Sequence, residues 1–280
     1  MKSYFFVPAN NQKYINKSID LKSDFIIYDL EESVSPNELI ESLNNLRKIV
    51  IKNNYYVRPH FFIKPEEINA ELLENLIKIG FNNYVIPKLS SIVQLKLIKS
   101  FFESIKNYKH DKYNFILLVE NPAFLLCLND ALHCNFLNVK SIGFGSHDYC
   151  NIMGMKHTLE NLYFARQTVL NTAKAFDLEA IDIVSLDLVN DSDFCDEVIN
   201  GFSMGFDAKF IIHPKHFQLL NKIQYYTHEE VLEANLVYSK IHNLINDKVS
   251  VVKIDGKVYE KPHINRIINI INWRNKNGGK

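Results

Sequence analysis

Eight short apolar runs recur along the chain, and nearly every one ends in a polar or ionisable residue that a plain core strand would not need. They occupy residues 4–10, 25–31, 55–58, 84–88, 115–120, 142–148, 180–185 and 210–213. Between successive runs lie stretches long enough for a helix, so the order reads strand then helix, eight times. That alternation predicts an α/β fold, a (β/α)8 TIM barrel, whose active site lies at the C-terminal ends of the strands, where these polar residues fall.

The intervening segments carry helical signals of their own. Ser35 precedes Pro36 with Glu38 three residues on, an N-cap with proline at the first helical position. Leu72, Leu73, Leu76, Ile77 and Ile79 form a 3.6-period face ended by Gly80, and Leu95, Ile98, Phe102 and Ile105 form another. Thr227 with Glu230 repeats the capping-box spacing before a helix containing Val231, Leu232, Leu236 and Ile241. Beyond it, residues 251–254, an Asp255-Gly256 turn and residues 257–260 read as a hairpin, and Pro262 opens a last helix through Ile264, Ile267, Ile268 and Ile271. The expected division is a barrel over 1–246 and a C-terminal hairpin–helix extension over 247–280 that packs on a neighbouring subunit. Such an extension serves either as a cap or oligomer contact or as a lid over a neighbouring site.

A chain of 280 residues with 47% hydrophobic content can bury one large core. Its 32 basic and 32 acidic residues are intermixed, which leaves no electrostatic footprint for nucleic acid or an anionic membrane and points to small-molecule chemistry. No segment approaches the roughly twenty apolar residues of a membrane span, and the apolar N-terminal run is too short for a signal-peptide core. Cys127, Cys134, Cys150 and Cys195 have neither metal-site nor disulfide-scaffold spacing, so a cytoplasmic setting with reduced thiols is expected.

Glu120 and Asp148 end the fifth and sixth runs, and adjacent parallel strands would bring them to one rim. Such a pair suits Mg²⁺, which takes one or two protein carboxylates and keeps positions for water and substrate oxygens; either acid alone could instead cap a helix or join a salt bridge. Asp29, Glu31 and Glu32 crowd the end of the second run, and carboxylates so close repel unless a metal, a base or shared protons relieve them. Arg58 and Lys88 supply cations on the next two strands. Arg58 suits bidentate binding of a substrate carboxylate, and either cation could simply neutralise the acidic cluster. His213 reads as an acid or base, or as a satisfied core histidine. From the residues alone this is a Mg²⁺-assisted enzyme acting on a carboxylate-bearing substrate through an enolate-like state.

The strand ends, read in order, resemble the citrate lyase β-subunit family of acyl-CoA carbon–carbon lyases. The likeness is carried by residues 6–10 with Lys13 and Lys17, residues 29–34, Val57-Arg58, Pro87-Lys88, Val119-Glu120, residues 144–148, Ala165-Arg166, residues 180–182, residues 204–206, residues 212–214 and residues 255–257. The resemblance implies that Glu120 and Asp148 bind Mg²⁺ and that Arg58 grips a keto-acid carboxylate. It also implies that Lys13 and Lys17 face coenzyme A, with Phe6, Lys88, Ile212 and His213 among the substrate-binding residues. Catalysis is expected to involve Arg58, Glu31 and, on the extension, Glu260, reaching into a neighbouring subunit of a homotrimer. Activity on a β-hydroxyacyl-CoA would yield an acyl-CoA and a 2-keto acid. An aldolase on a free keto acid or carrier-bound substrate, and a catalytically silent binding or assembly subunit, stand beside this reading. The chain departs from the family pattern at Glu260 and Glu32, where Asp is usual, and at Lys2, His60, Asn121 and Ala208.

Overall fold

The computed structural model describes residues 1–241, 251–254 and 256–276. The chain forms two compact units, Met1–Lys222 and Ile223–Lys280. The anticipated boundary at 246 and 247 and the residue Asp255 lie outside the described residues.

In the first unit, eight parallel strands close into a barrel: β1 (Lys2–Pro8), β2 (Phe25–Asp29), β3 (Tyr55–Arg58), β4 (Asn83–Ile86), β5 (Asn114–Val119), β6 (Val139–Phe144), β7 (Glu179–Asp182) and β8 (Ala208–Ile211). Each strand pairs with its sequence neighbours, and β8 returns to β1 with Ala208 opposite Lys2. The helices joining them are α1 (Gln12–Ile19), α2 (Leu39–Leu46), α3 (Ala70–Ile79), α4 (Ile92–Ser104), α5 (Pro122–His133), α6 (Ser146–Met153), α7 (Leu159–Ala175) and α8 (Asp191–Met204), with α9 (Pro214–Leu220) following β8. The expected start at Pro36 is a 3-10 turn over Pro36–Glu38 that leads into α2, and the Glu38 carboxylate accepts from both the Ser35 N–H (3.0 Å) and its hydroxyl (2.6 Å).

Alternation along each strand sorts the side chains. Tyr4, Ile27, Tyr56, Val85, Ile116, Leu118, Ile181, Ala208 and Phe210 point into the barrel and form one buried cluster. Phe210 crosses this interior because residue 143 is glycine: a β-carbon there would stand 2.4 Å from the ring. Outside the barrel, Arg166 on α7 is fully buried against Asp182 at the end of β7, with Nε to Oδ1 at 3.0 Å and Nη2 to Oδ2 at 2.7 Å, while Nη1 donates to Asn200 on α8. This fork ties two helices to the sheet.

The second unit contains α10 (His228–Ile241), a hairpin of β9 (Val251–Ile254) and β10 (Lys257–Glu260), and α11 (Lys261–Lys276). The capping box is present, with Thr227 N–H donating to Glu230 and Glu230 N–H to the Thr227 hydroxyl. Ala234, Val237, Ile241, Ile254, Ile264, Ile267, Ile270 and Ile271 make its core. Among the described residues no helix is long and apolar enough to cross a membrane, and all four cysteines are free thiols.

Candidate active site

The C-terminal ends of the barrel strands enclose a cavity of about 370 Å³. Phe6, Asp29, Glu32, Arg58, Glu120, Asp148 and Ile212 all line it, together with an apolar wall of Leu118, Phe144, Val184, Leu186 and Phe210.

Strand register assembles the acidic side. Asp29 and Arg58 are partners in the β2–β3 ladder, so their side chains leave the sheet side by side. Arg58 Nε donates to Asp29 Oδ1 at 2.7 Å and Nη2 to Oδ2 at 2.8 Å, and the guanidinium lies 4.8 Å from the Phe6 ring centroid. The fork that could hold a substrate carboxylate is therefore used by Asp29. Nη1 lies 3.4 Å from Glu31 Oε2 and Nη2 is 3.4 Å from Glu32 Oε2. Burial pushes the Asp29 carboxyl up, but the hydrogen bonds and charge of Arg58 outweigh it and hold Asp29 below its ordinary value.

Glu120 follows β5 directly, and Val119 is paired with Phe144, so residue 145 falls beside it. That residue is Gly145, and a β-carbon there would lie 2.3 Å from Glu120 Cγ. Glu120 Oε2 accepts the Lys88 backbone N–H at 2.7 Å. Burial, reinforced by the charges of Glu31 and Asp148, pushes the Glu120 carboxyl up to about 8 despite that bond and the charge of Arg58. Asp148, expected at a strand end, instead occupies the first turn of α6, because the chain enters a helix immediately after Gly145.

Lys88 does not line the cavity; its Nζ spans the cluster, 2.9 Å from Glu31 Oε1, 3.7 Å from Asp148 Oδ2 and 3.8 Å from Glu32 Oε1. Arg58 and Lys88 thus both pair with the acidic residues. Glu31 Oε2 remains buried without a hydrogen bond. Burial first, then the charges of Glu31 and Asp148, raise the Glu32 carboxyl even against Arg58.

These features fit a hard divalent cation. Glu120 is buried and costly as an anion, Asp148 shares its cavity, and the nearby Glu31 Oε2, 3.4 Å from Arg58 Nη1, accepts no hydrogen bond. Two carboxylates with room for water and substrate oxygens suit Mg²⁺. Among the described residues no group of three or more His, Cys, Asp or Glu has the arrangement of a dedicated metal cage.

The other expected residues fall elsewhere. Lys13 and Lys17 lie on the exposed face of α1, outside the cavity lining. His213 is exposed and caps α9, its Nδ1 accepting the Lys215 N–H at 3.1 Å. Glu260 ends β10 in the second unit and is exposed. Sequence reasoning passed over Ser146 and His147, which do line the cavity. The His147 ring stacks on His157 with centroids 4.1 Å apart, and Ser146 Oγ sits 2.8 Å from His157 Nε2. Their signal is membership of the 144–148 segment that carries the resemblance, where only Asp148 has an implied role.

The sequence profile of the HpcH/HpaI aldolase/citrate lyase family matches residues 2–214. The chain belongs to this family. Within the HpcH/HpaI aldolase/citrate lyase family it is similar to the citrate lyase subunit beta of Haemophilus influenzae, 24% identical over 276 residues that cover 95% of this chain and 94% of that protein. It is also similar to the mitochondrial citramalyl-CoA lyase of Homo sapiens, 26% identical over 240 residues, 79% of this chain and 70% of that one. In fold it resembles the CitE protein of Mycobacterium tuberculosis, solved with magnesium, acetoacetate and coenzyme A, with a TM-score of 0.78, 20% identity and coverage of 100% of this chain and 98% of that chain.

Proposed function

We propose that this chain is a Mg²⁺-dependent carbon–carbon lyase that splits a β-hydroxyacyl-CoA thioester into an acyl-CoA and a 2-keto acid, or joins them in reverse. The observation that carries the reading is the pair Glu120 and Asp148 on the wall of one cavity, with Glu120 made costly as an anion by burial. Membership in a family with relatives named as lyases supports the reaction class.

Glu120 and Asp148 would hold the cation, which supplies a Lewis acid for negative charge on the keto-acid oxygens. Arg58, locked by Asp29 and stacked on Phe6, presents a fixed positive charge for the substrate carboxylate, with Nη1 as the donor least committed to Asp29. A carboxylate of the Glu31 and Glu32 cluster accepts the β-hydroxyl proton, the carbon–carbon bond breaks, and the thioester fragment leaves as an enolate that regains a proton. The apolar wall of Phe144, Val184, Leu186 and Phe210 shields the reacting carbons from water. In the same reading Ile212, on the cavity wall, borders the substrate, and Lys13 and Lys17, on the exposed face of α1, face coenzyme A outside the cavity. The C-terminal hairpin and helix pack on a neighbouring copy in a homotrimer, and Glu260 supplies a carboxylate to that copy's site.

A second reading, an aldolase on a free keto acid, is favoured by one observation: Arg58 is the sole lysine or arginine lining the cavity among the described residues. Incubation with Mg²⁺ and β-hydroxyacyl-CoA thioesters or the corresponding free hydroxy acids, followed by mass spectrometry, separates the two. Cleavage of a thioester with no turnover of the free acids supports the lyase; the reverse pattern overturns it.

A further inference from the structure

Lys88 contacts the acidic cluster in two independent ways. Its backbone, in the left-handed region at φ 54°, donates its N–H to Glu120 Oε2 at 2.7 Å. Its Nζ reaches Glu31 at 2.9 Å and Asp148 at 3.7 Å, yet its side chain is 54% exposed. The ammonium thus sits beside one of the two carboxylates that would hold the divalent ion. Arg58 differs: it is buried and fork-bound to Asp29, so it stays where it is.

We propose that Lys88 is an exchange cation: its Nζ neutralises Glu31 and Asp148 until Mg²⁺ binds, and the ion then displaces it into the cavity mouth, where it recognises an anionic oxygen of the substrate. The proposal rests on the Mg²⁺ site described above. An ammonium and a divalent ion on the same carboxylate repel each other at such separations, which favours withdrawal of one of them. The lysine is the one that can withdraw, because its four-carbon stem is flexible and half in solvent while its main chain keeps hold of Glu120. Glu31 keeps Arg58 Nη1 at 3.4 Å after the exchange. The consequence is an order of events: the group that greets the anionic substrate becomes available only once the metal is in place.

Calorimetric Mg²⁺ titration of wild type, Lys88→Met and Glu120→Gln tests this, with a crystal structure of the wild type grown in Mg²⁺. Lys88→Met is expected to bind Mg²⁺ roughly tenfold tighter than wild type, since the competing cation is gone, and then to bind oxaloacetate roughly tenfold more weakly. In the wild-type crystal, Nζ should stand beyond ion-pair reach of Asp148. Nζ still paired with Asp148 beside a bound ion, or Mg²⁺ affinity unchanged or weaker in Lys88→Met, would overturn the proposal while leaving the metal site intact, provided Glu120→Gln abolishes binding. No Mg²⁺ binding by any of the three proteins would overturn both the metal site and the exchange.

Discussion

Glu120 folds into space that Gly145 leaves open: a β-carbon at position 145 would stand 2.3 Å from Glu120 Cγ and 2.9 Å from its Oε1. Gly145→Ala must therefore push the carboxylate aside, for the pairing of Val119 with Phe144 fixes both backbones. We expect Mg²⁺ affinity to fall about tenfold and turnover about a hundredfold, the scale of an ångström's misplacement at a reacting centre. Circular dichroism should show the barrel unchanged, and wild-type Mg²⁺ binding by Gly145→Ala would refute the fit.

Glu120 also sets a pH dependence. Its folded-state value is raised from 4.5 to about 8, chiefly by burial, so the folded state holds the proton more tightly than the unfolded chain. Below 4.5 both states are protonated and the group is neutral in effect. As pH climbs from 4.5 through 8, the unfolded state gains from ionising and the folded state does not, so stability falls, by a few kcal/mol at most. Urea titrations without added cation should show this decline, Glu120→Gln should flatten it, and Mg²⁺ should reverse it at pH 8. Parallel profiles for wild type and variant would exclude Glu120 as the source.

Asp29 has the opposite sign. Burial opposes its charge, but Arg58 prevails and lowers its value below 3.8. Its contribution is complete above that ordinary value and is lost as pH falls through the folded one. Asp29→Asn should cost about 3 kcal/mol at neutral pH, because it strips the buried Arg58 of its two-point partner. The gap between the two proteins should narrow in acid below pH 4; a constant gap would mean that packing, not charge, accounts for the loss.

Arg166→Met tests the pair behind the barrel. Both side chains are fully buried, so removing the guanidinium leaves Asp182 without its fork and should cost about 3–5 kcal/mol, read by thermal unfolding. Arg166→Met with Asp182→Leu together should recover part of that loss. A single variant as stable as wild type would show that the pair contributes little.

The barrel was legible because its signal is periodic and local: eight apolar runs, each near one strand. Glu120 and Arg58 were legible for the same reason, since each stands at a run's end. What periodicity could not reveal is who pairs with whom. The fork of Arg58 on Asp29 depends on β2–β3 register, and the Arg166–Asp182 pair joins a helix to a strand 16 residues on. Asp148 read as a strand end because nothing local marks Gly145 as the point where the helix begins. Lys13, Lys17 and His213 sit in motifs that match the family, yet a motif match says nothing of which way a side chain faces: the lysines lie on an exposed helix face, and His213 caps α9.

The most direct test of a Glu120-held cation serving carbon–carbon cleavage is the Mg²⁺ dependence of 2-keto acid release from a β-hydroxyacyl-CoA thioester by wild type and Glu120→Gln. Release by the wild type should rise to saturation with Mg²⁺ and vanish with a chelator, and Glu120→Gln should fall by about a thousandfold or more at any Mg²⁺ concentration. Release that survives the chelator, or a Glu120→Gln protein as active as wild type, would contradict it.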